Sequence, residues 1–473
     1  MISFQKVVFT VVLLVLGSVW TVFAVSPVKV TIDSGVLIGE SDDGVNVFKG
    51  VPYAKPPVGN LRWAPPQIPD KWKGKRDATQ FALPCTQPTN PDGKTRNGGG
   101  VCGETSEDCL YLNVFAPAKA KKAPVMVWLH GGASFLGAGH LGGYNGTAFT
   151  KQGVIIVTIN YRLGPLGYFA HPAITKAAAA DEALANYGLM DAVAALEWVQ
   201  RNIKKFGGDK KNVTVFGQSA GGGMVVSLLS IPSAKGLFAK AGVHSGASLR
   251  PAVLLSDAEK SGAEIATKLG LPVENATLEQ LRSIPASKFI EDQTIARGIG
   301  SPVDGRFRIK ATADAFETGG VIDVPLFIGS NNGERGFDNA RKVAKNMSSG
   351  APSFLYQFSY VPEWQKSERP NGAPHSAEIV YAYDSWDYTG WSDARVTETD
   401  RVVAKRVNSC WVAFAYANVN TDSLICADGF SWPRYDDASD DAVVFEEKPK
   451  LMKSKTLPDG PPPDAPRGSM APN

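Results

Sequence analysis

The stretch Val213-Thr-Val-Phe-Gly-Gln-Ser-Ala-Gly-Gly222 leads, past Gly223, into the apolar run Met224-Val-Val-Ser-Leu-Leu229. Its first four residues suit a buried strand and the run after it suits a helix, with the pattern Gly-x-Ser-x-Gly, Gly217 to Gly221, at the junction. A serine hydroxyl is a weak nucleophile unless it is lifted out of a sheet toward a base. A turn tight enough to lift it tolerates only small neighbours. In a chain with 48 glycines the bare pattern arises easily by chance. The strand before it and the helix after it favour Ser219 as a nucleophile over a structural glycine turn.

Outward from this turn, Pro124 to Leu129, Val154 to Asn160 and Val324 to Ile328 are also apolar on consecutive positions. Such runs suit parallel strands covered on both faces. Between them, Asp191 to Phe206 carries Leu196, Val199, Ile203 and Phe206 on one helical stripe. Strands alternating with helices predict a single large α/β domain around a mostly parallel sheet, with helices on both faces.

Acyl transfer from serine also needs N–H donors aimed at an oxyanion. His130-Gly-Gly-Ala-Ser-Phe135 follows a strand and offers the N–H groups of Gly132 and Ala133, which Ala220 would complete. The chain has five histidines, and in this fold a base follows both the serine and the acid. His244 comes too early to leave room for an acid, so the base is His375, in the loop Gly372-Ala-Pro-His-Ser376 after the strand-like Phe354 to Tyr360. The acid belongs on a loop at a strand end between them. Glu334, after Val324-Pro-Leu-Phe-Ile-Gly-Ser-Asn-Asn-Gly333, is the first candidate, with Asp304 and Asp338 as competitors. This chemistry calls for no metal and no cofactor.

Lys plus Arg total 49 against 46 Asp plus Glu, a net charge of +3, so electrostatics make no case for a nucleic-acid partner. Residues 1–24, with Lys6, an apolar run and the ending Val22-Phe23-Ala24, have the pattern of a secretory signal peptide. With the leader removed, no later segment is apolar enough to span a bilayer, and the mature protein is expected to be exported. In an oxidising compartment the five cysteines favour disulfides over metal sites, and at least one stays unpaired. Cys410 and Cys426 are expected to pair with each other ahead of Cys102. The catalytic domain is placed at residues 25–446, and the proline-rich residues 447–473 are expected to form a disordered tail.

Together these segments resemble the type-B carboxylesterases, the cholinesterase and lipase branch of the α/β-hydrolases. The resemblance rests on FKGVPYAKPPVGNLRW (48–63), SEDCLYLNV (106–114), the oxyanion segment, NYRLGPLGYF (160–169), NYGLMDAVAALEWVQRNIKKFGGD (186–209), FGQSAGG (216–222), the Glu334 loop, GAPH and WVAFA (411–415). It spans roughly residues 28 to 445. It implies Ser219, Glu334 and His375 as a triad, Gly132, Ala133 and Ala220 as oxyanion donors, and a small-molecule ester as substrate. A Cys85–Cys109 disulfide and ion pairs of Arg62 with Glu107 and Arg162 with Asp191 are implied as well. A true lipase and a non-catalytic binding relative are the alternatives.

The chain departs from the family pattern at three places. Gln218 stands where glutamate is usual, and Arg335 follows the acid where glycine is usual. Only 40 residues separate Glu334 from His375, so a block of helices beside the pocket must be missing and a wide cleft is expected. Tyr383 to Trp391 is expected either to line its rim or to cover the core. Residues 86–108 contain no Trp, Tyr or Phe, so the resemblance does not extend to the aromatic recognition of choline.

Overall fold

The computed structural model describes residues 26–95, 100–251, 253–272, 276–298, 300–386 and 395–462. The expected leader and residues 387–391 of the aromatic stretch lie outside these. Fifteen strands are present among the described residues: β1 (Ser26–Ile32), β2 (Gly35–Asp42), β3 (Val45–Pro52), β4 (Lys75–Asp77), β5 (Tyr111–Pro117), β6 (Ala123–Leu129), β7 (Ile155–Ile159), β8 (Gly208–Gln218), β9 (Lys240–His244), β10 (Leu326–Asn331), β11 (Ser353–Phe358), β12 (Ser423–Ile425), β13 (Ser431–Pro433), β14 (Asp441–Phe445) and β15 (Lys450–Lys453). Thirteen of them form one sheet in the order β1-β2-β3-β5-β7-β6-β8-β9-β10-β11-β14-β15, with β4 beside β2.

The sheet changes character along its width. From β7 through β6, β8, β9, β10 and β11 to β14 every pairing is parallel. The chain from β1 to β5 adds antiparallel pairings at one end, and β15 adds one at the other. Parallel neighbours need crossovers, and these put helices on both faces. The faces can be read from β6, which is buried throughout. Val125, Val127 and Leu129 share a core with Leu196, Val199, Met224 and Val343, from the helices Tyr187–Asn202, Ala220–Leu228 and Phe337–Met347. Met126 and Trp128 point the other way, into a core with Phe149, Tyr383, Val407 and Trp411. Burial of each such side chain contributes about 1.5–3 kcal/mol.

The expected strands are present, with ends displaced by at most three residues, except that β8 starts five residues early at Gly208. The stripe from Leu196 to Phe206 is buried, although the last turn, Ile203–Phe206, tightens to a 3-10 helix. Tyr383 and Trp386 are buried in the aromatic core, which is the covering role.

A correction falls on the segment after residue 446. Lys450–Lys453 pairs antiparallel with β14, and a 3-10 turn, Ser454–Thr456, follows. Pro458 O accepts a hydrogen bond from Gln357 Nε2 at 3.0 Å. Low apolar content hid this because an edge strand is held by its ladder and buries few side chains. Residues 463–473 lie outside the described residues.

Cys85 is joined to Cys109 and Cys410 to Cys426, while Cys102 is unpaired. Arg62 makes a bidentate pair with Glu107. Arg162 donates Nε and Nη2 to the Asp191 carboxylate at 2.8 and 2.7 Å, and its backbone N–H donates to the same group. Both side chains of the second pair are essentially buried. A pair like this need not stabilise the fold, but halving it strands a charge in the interior. Asp191→Ala is therefore expected to cost about 3–5 kcal/mol, read from the urea midpoint at constant slope. A loss under about 1 kcal/mol would mean water reaches Arg162.

Candidate active site

β8 ends at Gln218 and the helix Ala220–Leu228 begins two residues later, so Ser219 alone makes the corner. Its backbone sits at φ +55°, ψ −121°, a conformation that costs on the order of 1–3 kcal/mol for a residue with a Cβ. The surroundings enforce it. Ser219 N–H donates to His244 O at 2.8 Å, and Gly223 N–H donates to Ser219 O at 2.9 Å. At Gly221 a Cβ would lie 2.0 Å from Leu129 O, so only glycine lets the helix rest against β6.

Residues 131–136 lie against this corner. A Cβ on Gly131 would stand 3.1 Å from Ser219 Cβ, and Ala133 and Ser134 take positive φ of +53° and +63°. That reversal turns the chain so that Phe135 and Leu136 N–H close on Gly132 O at 3.1 and 2.9 Å. Among the described residues the N–H groups of Gly132 and Ala133 donate to no protein acceptor. Ala220, first in its helix, has no intrahelical acceptor for its own N–H. Beneath the segment His130 is buried, which pushes its imidazole down to about 4 and keeps it neutral, and it stacks on Tyr161.

Three distant side chains meet above the corner. His375 Nε2 is 2.8 Å from Ser219 Oγ, and His375 Nδ1 is hydrogen-bonded to Glu334 Oε2. The other Glu334 oxygen accepts from Asn331 N–H at 2.8 Å and from the Ser245 hydroxyl. The two loops are also joined to each other. Asn331 Nδ2 donates to Pro374 O and to Glu378 Oε2, both at 2.6 Å, and Gly333 N–H donates to Ala373 O at 2.9 Å.

The competing acids lie elsewhere. Asp304 accepts from the N–H groups of Leu184 and Arg308, and Asp338 pairs with Arg341. His244 is buried, accepts from Trp411 Nε1 at 2.8 Å and faces Glu378.

Burial alone would push the His375 imidazole down; the hydrogen bond and charge of Glu334, with the charge of Glu378, outweigh it and raise it. Burial would raise the Glu378 carboxyl, but His244 and Asn331 hold it down, so it remains an anion. Gln218 Nε2 lies 3.2 Å from His375 Nε2 and donates to Ser376 Oγ at 2.9 Å. A neutral amide thus lies beside the His375 ring, at the position where glutamate is usual in the family pattern. Ser245, Asn331 and Glu378 were not singled out from the sequence. Each acts through strand adjacency or through a second loop, and linear spacing carries no trace of either.

A parallel-cored sheet with a serine on the strand-to-helix corner, and with histidine and carboxylate on later strand-end loops, is an α/β-hydrolase. The chain belongs to the Carboxylesterase family, which it matches over residues 26–343 and 337–459, and it is a carboxylic ester hydrolase. It is 32% identical to the para-nitrobenzyl esterase of Bacillus subtilis (strain 168), over 90% of this chain and 98% of that one. With the fumonisin B1 esterase of Sphingopyxis macrogoltabida it shares 39% identity over 305 residues, 64% of this chain and 55% of that one. A thermophilic para-nitrobenzyl esterase structure superposes with a TM-score of 0.78 at 29% identity, covering 90% of this chain and 98% of that one.

The amide beside His375 makes a pH prediction. Replacing Gln218 by Glu would place an anion next to the ring and stabilise the imidazolium, raising a group that Glu334 already raises. More of His375 would be protonated at a given pH. The acid limb of the kcat/KM profile is therefore expected to move to higher pH in Gln218→Glu. An unmoved limb would show that position 218 does not sense the charge of His375.

Proposed function

We propose that the chain is an exported serine esterase working through an acyl-enzyme on short-chain or bulky esters. The observation that carries this is the unbroken hydrogen-bond chain from Ser219 Oγ through the His375 ring to Glu334. Ser219 Oγ attacks the ester carbonyl while His375 Nε2 takes its proton. Glu334 holds the Nδ1–H tautomer and stabilises the imidazolium. The N–H groups of Gly132, Ala133 and Ala220 receive the charge on the tetrahedral oxygen, where one donor is typically worth about 2.7–4 kcal/mol. His375 then protonates the departing alcohol and activates water to release the acid.

Two disulfides and the leader-like residues 1–24 support export. Acyl preference follows from the short span between acid and base. With 40 residues there, the segment from Glu334 to His375 is too short to hold the helices expected to wall the pocket in related enzymes, and the His375 side chain is 41% exposed. An open cleft cannot desolvate a long acyl chain on all sides, so each added methylene gains less than the ~0.8 kcal/mol of full burial.

Ser219→Ala and His375→Ala are each expected to lose activity on the order of 10⁶-fold, and Glu334→Gln less, with folding retained. Full activity in Glu334→Gln would remove it as the acid. On p-nitrophenyl esters from acetate to palmitate, kcat/KM is expected to peak at short chains, without a jump above substrate solubility. A continued rise to palmitate, or such a jump, would make the enzyme a lipase.

A further inference from the structure

The carboxylate loop has two anchors, and the second comes from the far end of the chain. On its N-terminal side Asn331 holds Glu334 directly. On its C-terminal side the loop runs through Arg335 and Gly336 into the helix Phe337–Met347, whose N-cap position, Gly336, has no side chain with which to cap it. Asp459 supplies the missing acceptor. Its Oδ1 takes the N–H of Gly336 at 2.8 Å and the N–H of Asp338 at 3.1 Å. The next residue touches the acid's own backbone: a Cβ on Gly460, at φ +84°, would lie 2.4 Å from Glu334 O and 3.0 Å from Arg335 N. Asp459 and Gly460 are held in turn by Pro458 on Gln357 and by β15 on β14.

We infer that Asp459 is a positioning residue for Glu334, and that the segment Pro458–Gly460 is a strap that fixes the carboxylate against His375. The inference rests on Glu334 being the acid of the proposed esterase. It also accounts for the displaced glycine of the acid loop. Gly336, one residue later than usual, is the residue whose N–H meets the strap. Glu334 and Glu378 are the charged groups that raise His375, with the neutral Gln218 amide beside the ring. If the strap is loosened, Glu334 moves, His375 loses its main partner, and its pKa falls.

The test uses the full chain, with active sites counted by fluorophosphonate labelling. Asp459→Ala is expected to lower kcat per labelled site about tenfold or more, leave KM within about twofold, and move the acid limb of kcat/KM to lower pH. Asp459→Asn keeps Oδ1 as an acceptor and is expected to restore most of kcat and the limb. Gly460→Ala, which presses on the Glu334 carbonyl, should behave like Asp459→Ala. Thr277→Ala removes the cap of an unrelated surface helix and serves as the stability control. It should lower Tm with kcat unchanged. The inference is overturned if Asp459→Ala lowers Tm as Thr277→Ala does while keeping kcat and its pH limb. It is equally overturned if Asp459→Asn is as impaired as Asp459→Ala. Full activity in Glu334→Gln would instead remove the acid assignment, so the two failures are distinguishable.

Discussion

The close approach of the Ala220–Leu228 helix to β6 constrains everything built above it. At Gly221 helix backbone and strand carbonyl lie so near that a single methyl group would collide with Leu129 O. That contact pins the start of the helix directly over the end of β8, and one residue is left to turn the chain. Ser219 takes the strained conformation because both ends of its turn are fixed by a sheet buried on both faces. The strain, of order 1–3 kcal/mol, is small beside that burial. A looser packing would let the serine relax into the sheet, away from His375.

The His375 and Glu334 loops obey a different logic. Neither ring nor carboxylate is held by packing of its own element. Asn331, Asn332 and Gly333 join the acid loop to residues 373 and 374, so the two loops behave as one body. Glu378 extends that body into the core, where its neighbours are His244 and Asn331. The His375 ring is thus set by a network of amide and carbonyl contacts, and Glu334 and Glu378 are the carboxylates that favour its charged form.

How much of this was legible before the structure depends on the kind of contact. The buried strands and the serine corner left local marks, in apolar runs and in glycines that only a close approach requires. His375 followed from counting, because the chain offers so few histidines. The Asp191–Phe206 stripe marked a helix, although its last turn is tighter. The order of the strands left no such mark, so Ser245, which reaches Glu334 only because β9 lies beside β10, went unseen. Nor did the strap show itself. Prolines and charges after Glu446 read as tail, whereas Lys450–Lys453 is held by backbone pairing on β14, Pro458 by Gln357, and Asp459 by its bonds to Gly336 and Asp338.

The sites of contact also set an order in time. The serine corner is complete once about half the chain exists, but its partner His375 comes later, the strand that finishes the sheet ends at Lys453, and the last contact on the Glu334 loop comes from Gly460. Beside Ser219, β8 pairs with β6 and β9 with β10, each across roughly eighty residues, and such non-local pairing slows folding. During synthesis the N-terminal half presents Ser219 without His375, on a sheet whose later strands have not arrived. The Ser219–His375–Glu334 hydrogen-bond chain therefore gains its last supporting contacts only after residues 459 and 460 have been made.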